Sequence, residues 1–301
     1  MASGSKKVIY AALIGNGLIS ITKFIAATIT GSSAMMSEGI HSLVDTGNQV
    51  LLLFGLRQAK KPADAAFPFG HGKEIYFWSF VVSILIFALG SGISIYEGVH
   101  HILHPVEITS PTINYIVLGL AILFEGAALL YAVRAFNESR GKTPTLQAVR
   151  DGKDPTLFVV LFEDTAALLG LFVALMGITL AQITGLAIFD GIASVIIGLI
   201  LGATAVWLAR ETKGLLIGES ADPIITSSIK LMLERHPSII NAHEILTLHM
   251  GPEFILVTIS AHFKGDVRAD DMEKDIAKLV KQIKIAHPMV KRVFIEAEEA
   301  K

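Results

Sequence analysis

The chain has 301 residues, of which 52% are hydrophobic and 17% charged, with a formal net charge of −2. Soluble domains carry about 25% charged residues, so this composition excludes a protein that is soluble along its whole length, and the near-zero net charge argues against a nucleic-acid partner. The absence of cysteine excludes disulfides and thiolate metal sites and leaves the cellular compartment open.

Apolar segments of about 20 residues, long enough to cross a bilayer, recur through the first two thirds of the chain. We therefore divide it into a transmembrane domain at 1–213 and a smaller cytoplasmic domain at 214–301. No cleavage pattern of a signal peptide follows the first apolar segment. The predicted transmembrane helices, six in all, lie at about 8–30, 36–56, 75–99, 113–136, 156–180 and 186–209.

Lys and Arg residues in the connections predict the orientation, because they accumulate on the cytoplasmic side. The first, third and fifth loops contain none. Both termini are therefore expected in the cytoplasm. We expect the protein to be located in the bacterial inner membrane. The basic residues on the other side of the predicted bundle are Lys6, Lys7, Arg57, Lys60, Lys61, Lys73, Arg134, Arg140, Lys142, Arg150, Lys153, Arg210 and Lys213.

The C-terminal segment alternates helix and strand patterns in the order α-β-β-α-β. Asp222 followed by Pro223 is a typical helix start, and Gly251-Pro252 is a turn signal between two apolar runs. This order predicts an α+β domain of ferredoxin-like type, whose small core would gain from pairing with a second copy. The predicted elements are helix 223–235, strands 245–250 and 254–263, helix 269–287 and strand 290–297.

Ionisable side chains inside a bilayer are costly and by default mark a transport path or a partner. The predicted spans contain several acids and one imidazole but only one basic residue away from their ends, Lys23. Unpaired carboxylates in such a place require either protonation or a bound cation. These residues are Glu38, His41 and Asp45 in the second span, Glu125 in the fourth, Glu163 and Asp164 in the fifth and Asp190 in the sixth.

His41 and Asp45 are four residues apart, so they share one face of a helix. Together with Asp164 they offer one nitrogen and several oxygens, ligands that zinc accepts and that cobalt, iron or manganese would also accept. Such groups release protons when they bind metal and take them up again afterwards. Glu163 can be a ligand, a proton relay or a group that orients a ligand.

The other ionisable residues of the spans are assigned roles outside the set of metal ligands. We expect Glu125 to pair with Lys23 or to relay protons, and Asp190 to cap or anchor the start of the sixth span. Glu38 is placed near the outer end of the second span, where it lines an exit path or reaches solvent. The histidines of 100–104 are interpreted as an exposed polar turn, with metal collection as the alternative.

Three stretches carry a family resemblance: TGSSAMMSEGIHSLVDTGNQ (30–49), FPFGHGKEIYFWS (67–79) and LIGESADP (216–223). They resemble the cation diffusion facilitators, or cation efflux family, which are proton-coupled exporters of zinc and other divalent metals. FEDTAAL in the fifth span resembles most the branch that contains the ninth human zinc transporter. The resemblance covers nearly the whole chain and implies a homodimer with six spans and a cytoplasmic α-β-β-α-β domain.

The resemblance also implies a transport site. The family places a His or Asp and an Asp four residues apart on the second span, which match His41 and Asp45 here. It places a similar pair on the fifth span, where Asp164 matches the second member but Val160 stands at the first. The usual set is therefore short by one ligand, and Glu163 is the nearest replacement.

Two further metal sites occur in some members of the family. The second-loop site is matched by Asp64 and His71, but Phe67 stands where another histidine is expected. The site in the cytoplasmic domain is matched by His243, while Glu296 replaces a histidine on the last strand and Thr258 replaces another ligand. Both sites therefore lack part of the ligand set that the resemblance implies.

Together these observations predict a metal/proton antiporter that exports a divalent cation, zinc in the first place, by alternating access. No catalytic constellation or cofactor site is predicted; the metal is the transported ion. An exporter of manganese, iron or cobalt is one alternative, and a transport-inactive metal sensor or scaffold is another. A channel or other solute carrier is a third, and flux that fails to saturate would distinguish a channel.

Overall fold

The computed structural model describes residues 3–140 and 155–298. These residues form two compact units: one lies within Met1–Leu56 and Phe77–Thr212, the other within Arg57–Tyr76 and Lys213–Lys301. The second unit thus combines the C-terminal part of the chain with residues 57–76. The basic residues Lys142, Arg150 and Lys153, which contributed to the predicted orientation, lie outside the described residues.

Long helices occupy every position at which the sequence predicts a span. The third contains a π-helical segment at Ile86–Ser91 and continues beyond the predicted end at residue 99. Gly31, with φ +73°, makes the tight turn between the first two helices. The helices are α1 (Ser3–Thr30), α2 (Ser33–Ala59), α3 (Glu74–Leu103), α4 (Pro111–Arg140), α5 (Pro155–Thr184) and α6 (Ile188–Ile217).

Four of these helices, α3 to α6, are long and apolar enough to cross a membrane. In α2 the acids Glu38 and Asp45 and the imidazole of His41 lower the apolar character of the helix. The prediction of six spans is therefore supported for four helices, and it stays a prediction for α1 and α2.

Small residues allow α3 and α6 to approach closely. A Cβ atom at Gly98 would lie 2.6 Å from the backbone nitrogen of Val195, and one at Gly198 would lie 2.9 Å from that of Ile95. Both distances are too short for carbon against nitrogen, so glycine is required at these two contacts. Close backbone approach of this kind is typical of helices that associate in membranes.

The C-terminal part has the predicted order of elements. β1 and β2 pair antiparallel and β2 and β3 pair parallel, giving a mixed sheet in the order β1-β2-β3. β1 begins six residues before the predicted position because it pairs with nearly the whole of β2. The elements are α7 (Pro223–Glu234), β1 (Ile239–Gly251), β2 (Phe254–Phe263), α8 (Ala269–Ala286) and β3 (Val290–Ala297).

The core of this unit lies between the two helices and one face of the sheet. Asp222 caps α7 as predicted, since its Oδ1 accepts a hydrogen bond from the Ile224 backbone nitrogen at 2.7 Å. Residues 57–76 belong to the same unit; Gly72 lies so close to the backbone of Met250 that a side chain would collide with it. The buried core residues include Ile229, Leu233, Val257, Ile259, Leu279 and Ile283.

Candidate functional site

One face of α2 carries three buried polar residues. His41, Asp45 and Asn48 follow at intervals of four and three residues, so their side chains lie above one another. His41 Nδ1 lies 3.3 Å from Asp45 Oδ1, and the His41 ring and Asn48 are almost completely shielded from solvent. The structure thus brings together the predicted α2 pair and adds Asn48 to it.

The facing side chains come from α5. Asn48 Nδ2 donates a hydrogen bond of 2.5 Å to Oε1 of the buried Glu163. The carboxyl groups of Asp45 and Glu163 are also in hydrogen-bonding contact. Two carboxyl groups that face each other in this way require a proton or a cation between them. Asp164 is half-buried beside them and close enough to Asp45 for direct electrostatic repulsion.

Several polar atoms of this face have no hydrogen-bond partner within the described structure. They are both ring nitrogens of His41, Oδ1 of Asp45 and Oδ1 of Asn48. The 3.3 Å approach of His41 to Asp45 is an ion-pair distance, but it lacks the geometry of a hydrogen bond. Buried polar atoms without partners are costly, so a cluster of them indicates a place for a ligand or for protons.

These groups do not form a complete coordination sphere. In the described parts of the chain, no three His, Asp or Glu side chains are arranged so that they could hold a metal ion. The metal set of His41, Asp45, Asp164 and Glu163 therefore stays a prediction after the structure is known. The structure adds that three of the four are joined through direct contacts across α2 and α5.

Lys23 forms an ion pair that the sequence did not predict. Its Nζ lies 3.0 Å from Oε2 of Glu38 and donates a hydrogen bond of 2.7 Å to Ser42 Oγ. Both charged side chains are completely buried. The predicted pairing of Lys23 with Glu125 is thus replaced by a pair with Glu38, and Glu38 does not reach solvent. The reason is that Glu38 and Ser42 share a face of α2 turned toward α1.

Glu125 lies among the acids of the site. It is buried on α4 and is close enough to Asp45, Glu163 and Asp164 to repel each of them, while Lys23 attracts it. This position leaves the relay interpretation of Glu125 open as a prediction. A relay group must lie near the proton-binding acids, and Glu125 meets that condition.

Asp190 caps a different helix from the one expected. It belongs to the first turn of α6, but its Oδ2 accepts hydrogen bonds from the backbone nitrogens of Ser33 and Ala34, at 2.5 and 3.4 Å. Its Oδ1 accepts a hydrogen bond from Ser32 Oγ at 2.7 Å, and Nδ1 of the buried His101 lies 3.3 Å from Oδ2. Asp190 therefore fixes the start of α2, the helix of the candidate site, and His101 is not part of an exposed turn.

Alanine at position 190 is expected to lower the unfolding temperature of the full-length protein in detergent. The substitution leaves the Ser33 and Ala34 nitrogens and the Ser32 hydroxyl buried without an acceptor, at a cost of about 1–3 kcal/mol. Asp190→Asn keeps one acceptor oxygen and should lose less. Equal unfolding temperatures for parent and Asp190→Ala would contradict this role.

The second-loop residues Asp64 and His71 are in contact. His71 Nε2 lies 3.0 Å from Asp64 Oδ2, and Asp64 Oδ1 accepts hydrogen bonds from the backbone nitrogens of Ala66 and Phe67. The Phe67 ring packs against the His71 ring where a further ligand was expected. The hydrogen bond from His71, with those from the backbone, holds the pKa of Asp64 below its usual value. The loop motif is therefore a hydrogen-bonded turn.

Replacing His71 with alanine is expected to raise the pKa of Asp64 toward 3.8, because the largest stabilising contact of its charged form is removed. Since that pKa is depressed in the folded loop, the stabilisation exists above the usual value and disappears as the pH falls through the lower one. A carbon-13 NMR titration of aspartate-labelled protein measures the change. Asp275, whose pKa is lowered by its hydrogen bond from Ser238, is the internal control; an unchanged Asp64 titration would contradict the prediction.

The tail positions of the predicted second metal site are separated by a strand. His243 lies on β1 and Glu296 on β3, on either side of β2, and Glu296 accepts a hydrogen bond from Ser260 of β2. Neighbouring strands are about 4.8 Å apart, so these two residues are not adjacent. His243 instead lies beside His262, with ring centroids 6.1 Å apart. Metal binding by a single copy of this set gains no support.

Sequence reasoning missed Asn48 and the pairing of Glu38. A signal for Asn48 was present, because it continues the helical spacing of His41 and Asp45 on α2. No sequence signal distinguished Glu38 from Glu125 as the partner of Lys23. That choice depends on how α1 and α2 are rotated against each other.

The chain is similar to known proteins in sequence, both to a family model and to individual relatives. The family model described as "cation efflux transmembrane domain" matches residues 9–217. A mitochondrial proton-coupled zinc antiporter of Xenopus laevis is 35% identical over 266 residues, which are 88% of this chain and 48% of that protein. Its human counterpart is 35% identical over 88% of this chain and 47% of its own length.

Two further relatives come from a plant and from an archaeon. Metal tolerance protein C4 of Arabidopsis thaliana is 30% identical over 87% of this chain and 58% of its own length. An uncharacterised transporter of Methanocaldococcus jannaschii is 24% identical over 97% of this chain and 98% of its own. The chain spans about half the length of the animal relatives, whereas it aligns with nearly all of the archaeal one.

Proposed function

This chain is a membrane protein of the cation efflux family, and on that premise we propose that it exports a divalent metal ion, zinc in the first place, in exchange for protons. The observation that carries the proposal is the contact between the Asp45 carboxyl of α2 and the Glu163 carboxyl of α5, beside the unpartnered His41. Four relatives of this chain are named proton-coupled zinc antiporters.

The chemistry of exchange follows from the charges. Without metal, the facing acids Asp45 and Glu163 keep at least one proton between them. A divalent cation that enters between α2 and α5 displaces this proton and takes the imidazole and carboxylates as ligands. When the site opens to the other side, protons from that side return to the acids and the metal leaves. Metal and protons thus compete for the same atoms, which couples their movements.

Purified full-length protein in proteoliposomes tests this proposal. With zinc outside and a zinc-sensitive dye inside, an acidic lumen is expected to accelerate uptake, and uptake should saturate with zinc concentration. A protonophore that collapses the pH gradient should remove the acceleration. Uptake that is independent of the pH gradient and does not saturate would overturn antiport in favour of a channel.

A metal sensor or scaffold remains the second candidate, favoured by Val160 at the position of a usual ligand. The same assay separates the two, because a sensor would bind zinc without transporting it. Competition between zinc, manganese, iron and cobalt in the assay would establish the metal preference. In either case the proposed role is transport or sensing of the ion, without a bound cofactor or a catalysed reaction.

We further propose that two copies pair through the C-terminal domain and the membrane helices. The sheet face turned away from α7 and α8 carries a cross-strand row of Leu246, Thr258 and Phe294. Leu246 and Phe294 are 55% and 50% exposed, which is unfavourable for large apolar side chains in water. A second copy with the same ferredoxin-like domain would cover this row through a self-complementary contact.

Six spans and cytoplasmic termini complete the proposal. The basic loops support this orientation. The bacterial inner membrane is the proposed location, although the names of four relatives of this chain include the word mitochondrial. Accessibility of single cysteines introduced near Lys60 and near Thr109 to an impermeant reagent would test it, since these loops should lie on opposite sides. The chain has no cysteine of its own to interfere.

A further inference from the structure

Asn48 occupies a central place in the candidate site. It lies on the same face of α2 as His41 and Asp45 and is completely buried. Its side-chain nitrogen, Nδ2, donates a short hydrogen bond of 2.5 Å to Oε1 of Glu163 on α5. Asn48 therefore connects the two helices at the level of the facing acids.

The hydrogen bond to Glu163 also shows which way the amide points. Its nitrogen faces Oε1 of Glu163, which accepts the hydrogen bond. The oxygen, Oδ1, then faces the other way, and it has no partner in the described structure. Oδ1 of Asp45 and both nitrogens of His41 on the same face are likewise without hydrogen-bond partners.

A buried amide oxygen needs a hydrogen-bond donor or a cation. The acids that interact with Asp45 on this face are Glu163, Glu125 and Asp164, whose carboxylates accept hydrogen bonds when ionised. One turn before Asp164, α5 presents Val160, which has no ligating atom. Asn48 thus adds a neutral oxygen ligand to a set that otherwise consists of carboxylates and the His41 imidazole.

We propose that Asn48 determines metal selectivity in this site: its nitrogen holds Glu163 in position and its oxygen faces the transported cation. This inference rests on the proposed transport function. The resulting set has one imidazole and otherwise oxygen donors from carboxylates and an amide. Such a set suits harder ions such as manganese better than two imidazoles would, whereas zinc gains less from the additional oxygen.

Metal binding to the purified full-length protein in detergent tests the role of Asn48. Isothermal titration with zinc chloride and with manganese chloride gives the dissociation constant of each metal and their ratio. Asn48→Leu has a similar volume but lacks both polar atoms. We expect it to raise the dissociation constant for manganese by about 10–100-fold and that for zinc by a smaller factor, so the ratio changes.

Asn114 offers a matched control. It is also a completely buried asparagine of the first unit, its Oδ1 accepts a hydrogen bond from Thr30 at 3.0 Å, and its Nδ2 has no partner among the described residues. Asn114→Leu therefore removes a comparable amide from another place. We expect it to leave the dissociation constants of both metals, and their ratio, unchanged.

Asn48→Asp separates ligation from packing. It retains an oxygen for the metal, so it should bind manganese more tightly than Asn48→Leu does and shift the ratio toward manganese relative to the parent. If Asn48→Leu fails to fold, which its unfolding temperature shows, an unchanged ratio in Asn48→Asp overturns the inference. Unchanged constants in a folded Asn48→Leu also overturn it. A parent protein that binds neither metal contradicts the proposed function itself, so the two failures are distinct.

Discussion

Replacing Asp45 with asparagine is expected to reduce pH-driven zinc uptake by at least about 100-fold. That factor is the upper end of the loss of metal affinity or activity seen when a residue hydrogen-bonded to a metal ligand is mutated. Asp45 lies between the His41 ring and the Glu163 carboxyl and has an unpartnered oxygen. The substitution keeps the shape of the side chain but removes the negative charge that a divalent cation requires. It also removes one of the two groups that can keep the exchanged proton.

The measurement is the initial rate of zinc uptake into proteoliposomes at a fixed pH gradient. Asp45→Asn should fold as well as the parent, because it removes a carboxyl that is repelled by Glu163 and Asp164. An unfolding temperature at or above that of the parent would establish this. The effect on transport is then attributable to the site.

Asp222→Asn is a suitable control for this substitution. Asp222 caps α7 in the C-terminal unit through its hydrogen bond to the Ile224 nitrogen, and asparagine is an equally good helix cap. The control changes the same charge and should leave uptake unchanged. Equal uptake by Asp45→Asn and the parent would show that the candidate site is not the transport site.

Methionine in place of Lys23 is expected to destabilise the protein by about 3–5 kcal/mol, the usual cost of removing one member of a buried ion pair. Glu38 would then be a completely buried carboxylate without the Nζ that lies 3.0 Å from it in the parent. The other oxygen of Glu38 has no partner in the described structure and lies against Gly170 of α5, which has no side chain to donate a hydrogen bond. The neighbourhood therefore offers no ready substitute for Lys23.

A double-mutant cycle separates the pair from the individual side chains. The variant with both Lys23→Met and Glu38→Gln should recover most of the lost stability, since it contains no unpaired buried charge. Thermal unfolding of the four proteins in the same detergent gives the interaction free energy. A double variant that is as unstable as Lys23→Met alone would mean that Lys23 acts mainly through packing.

Lys230→Met is the control for an exposed pair. Lys230 lies 3.9 Å from Glu234 on α7, and the two side chains are 59% and 45% exposed. Such surface pairs contribute about 0–1 kcal/mol, so this substitution should change the unfolding temperature little. If Lys23→Met costs no more than Lys230→Met, the buried pair is not a stabilising element.

Local patterns in the sequence predicted the parts of this protein that depend on neighbouring residues. The long apolar helices, the Asp222 cap, the turn at Gly251-Pro252 and the α-β-β-α-β order follow from periodicity and from turn and cap chemistry. The pairing of His41 with Asp45 follows from helical spacing alone. The length of β1 did not follow, because its first residues are held in the strand by β2 and not by their own propensity.

The sequence by itself determined which chemical groups stand at helical positions in the predicted spans: several acids, the imidazole of His41 and the amine of Lys23. Only the tertiary structure decided their partners, because a partner depends on the rotation and depth of each helix against the next. That is why Lys23 pairs with Glu38 rather than Glu125, why Asp190 of α6 caps α2, and why Asn48 holds Glu163. Helical spacing fixes contacts within a helix, whereas packing of side chains over long sequence separations fixes contacts between helices.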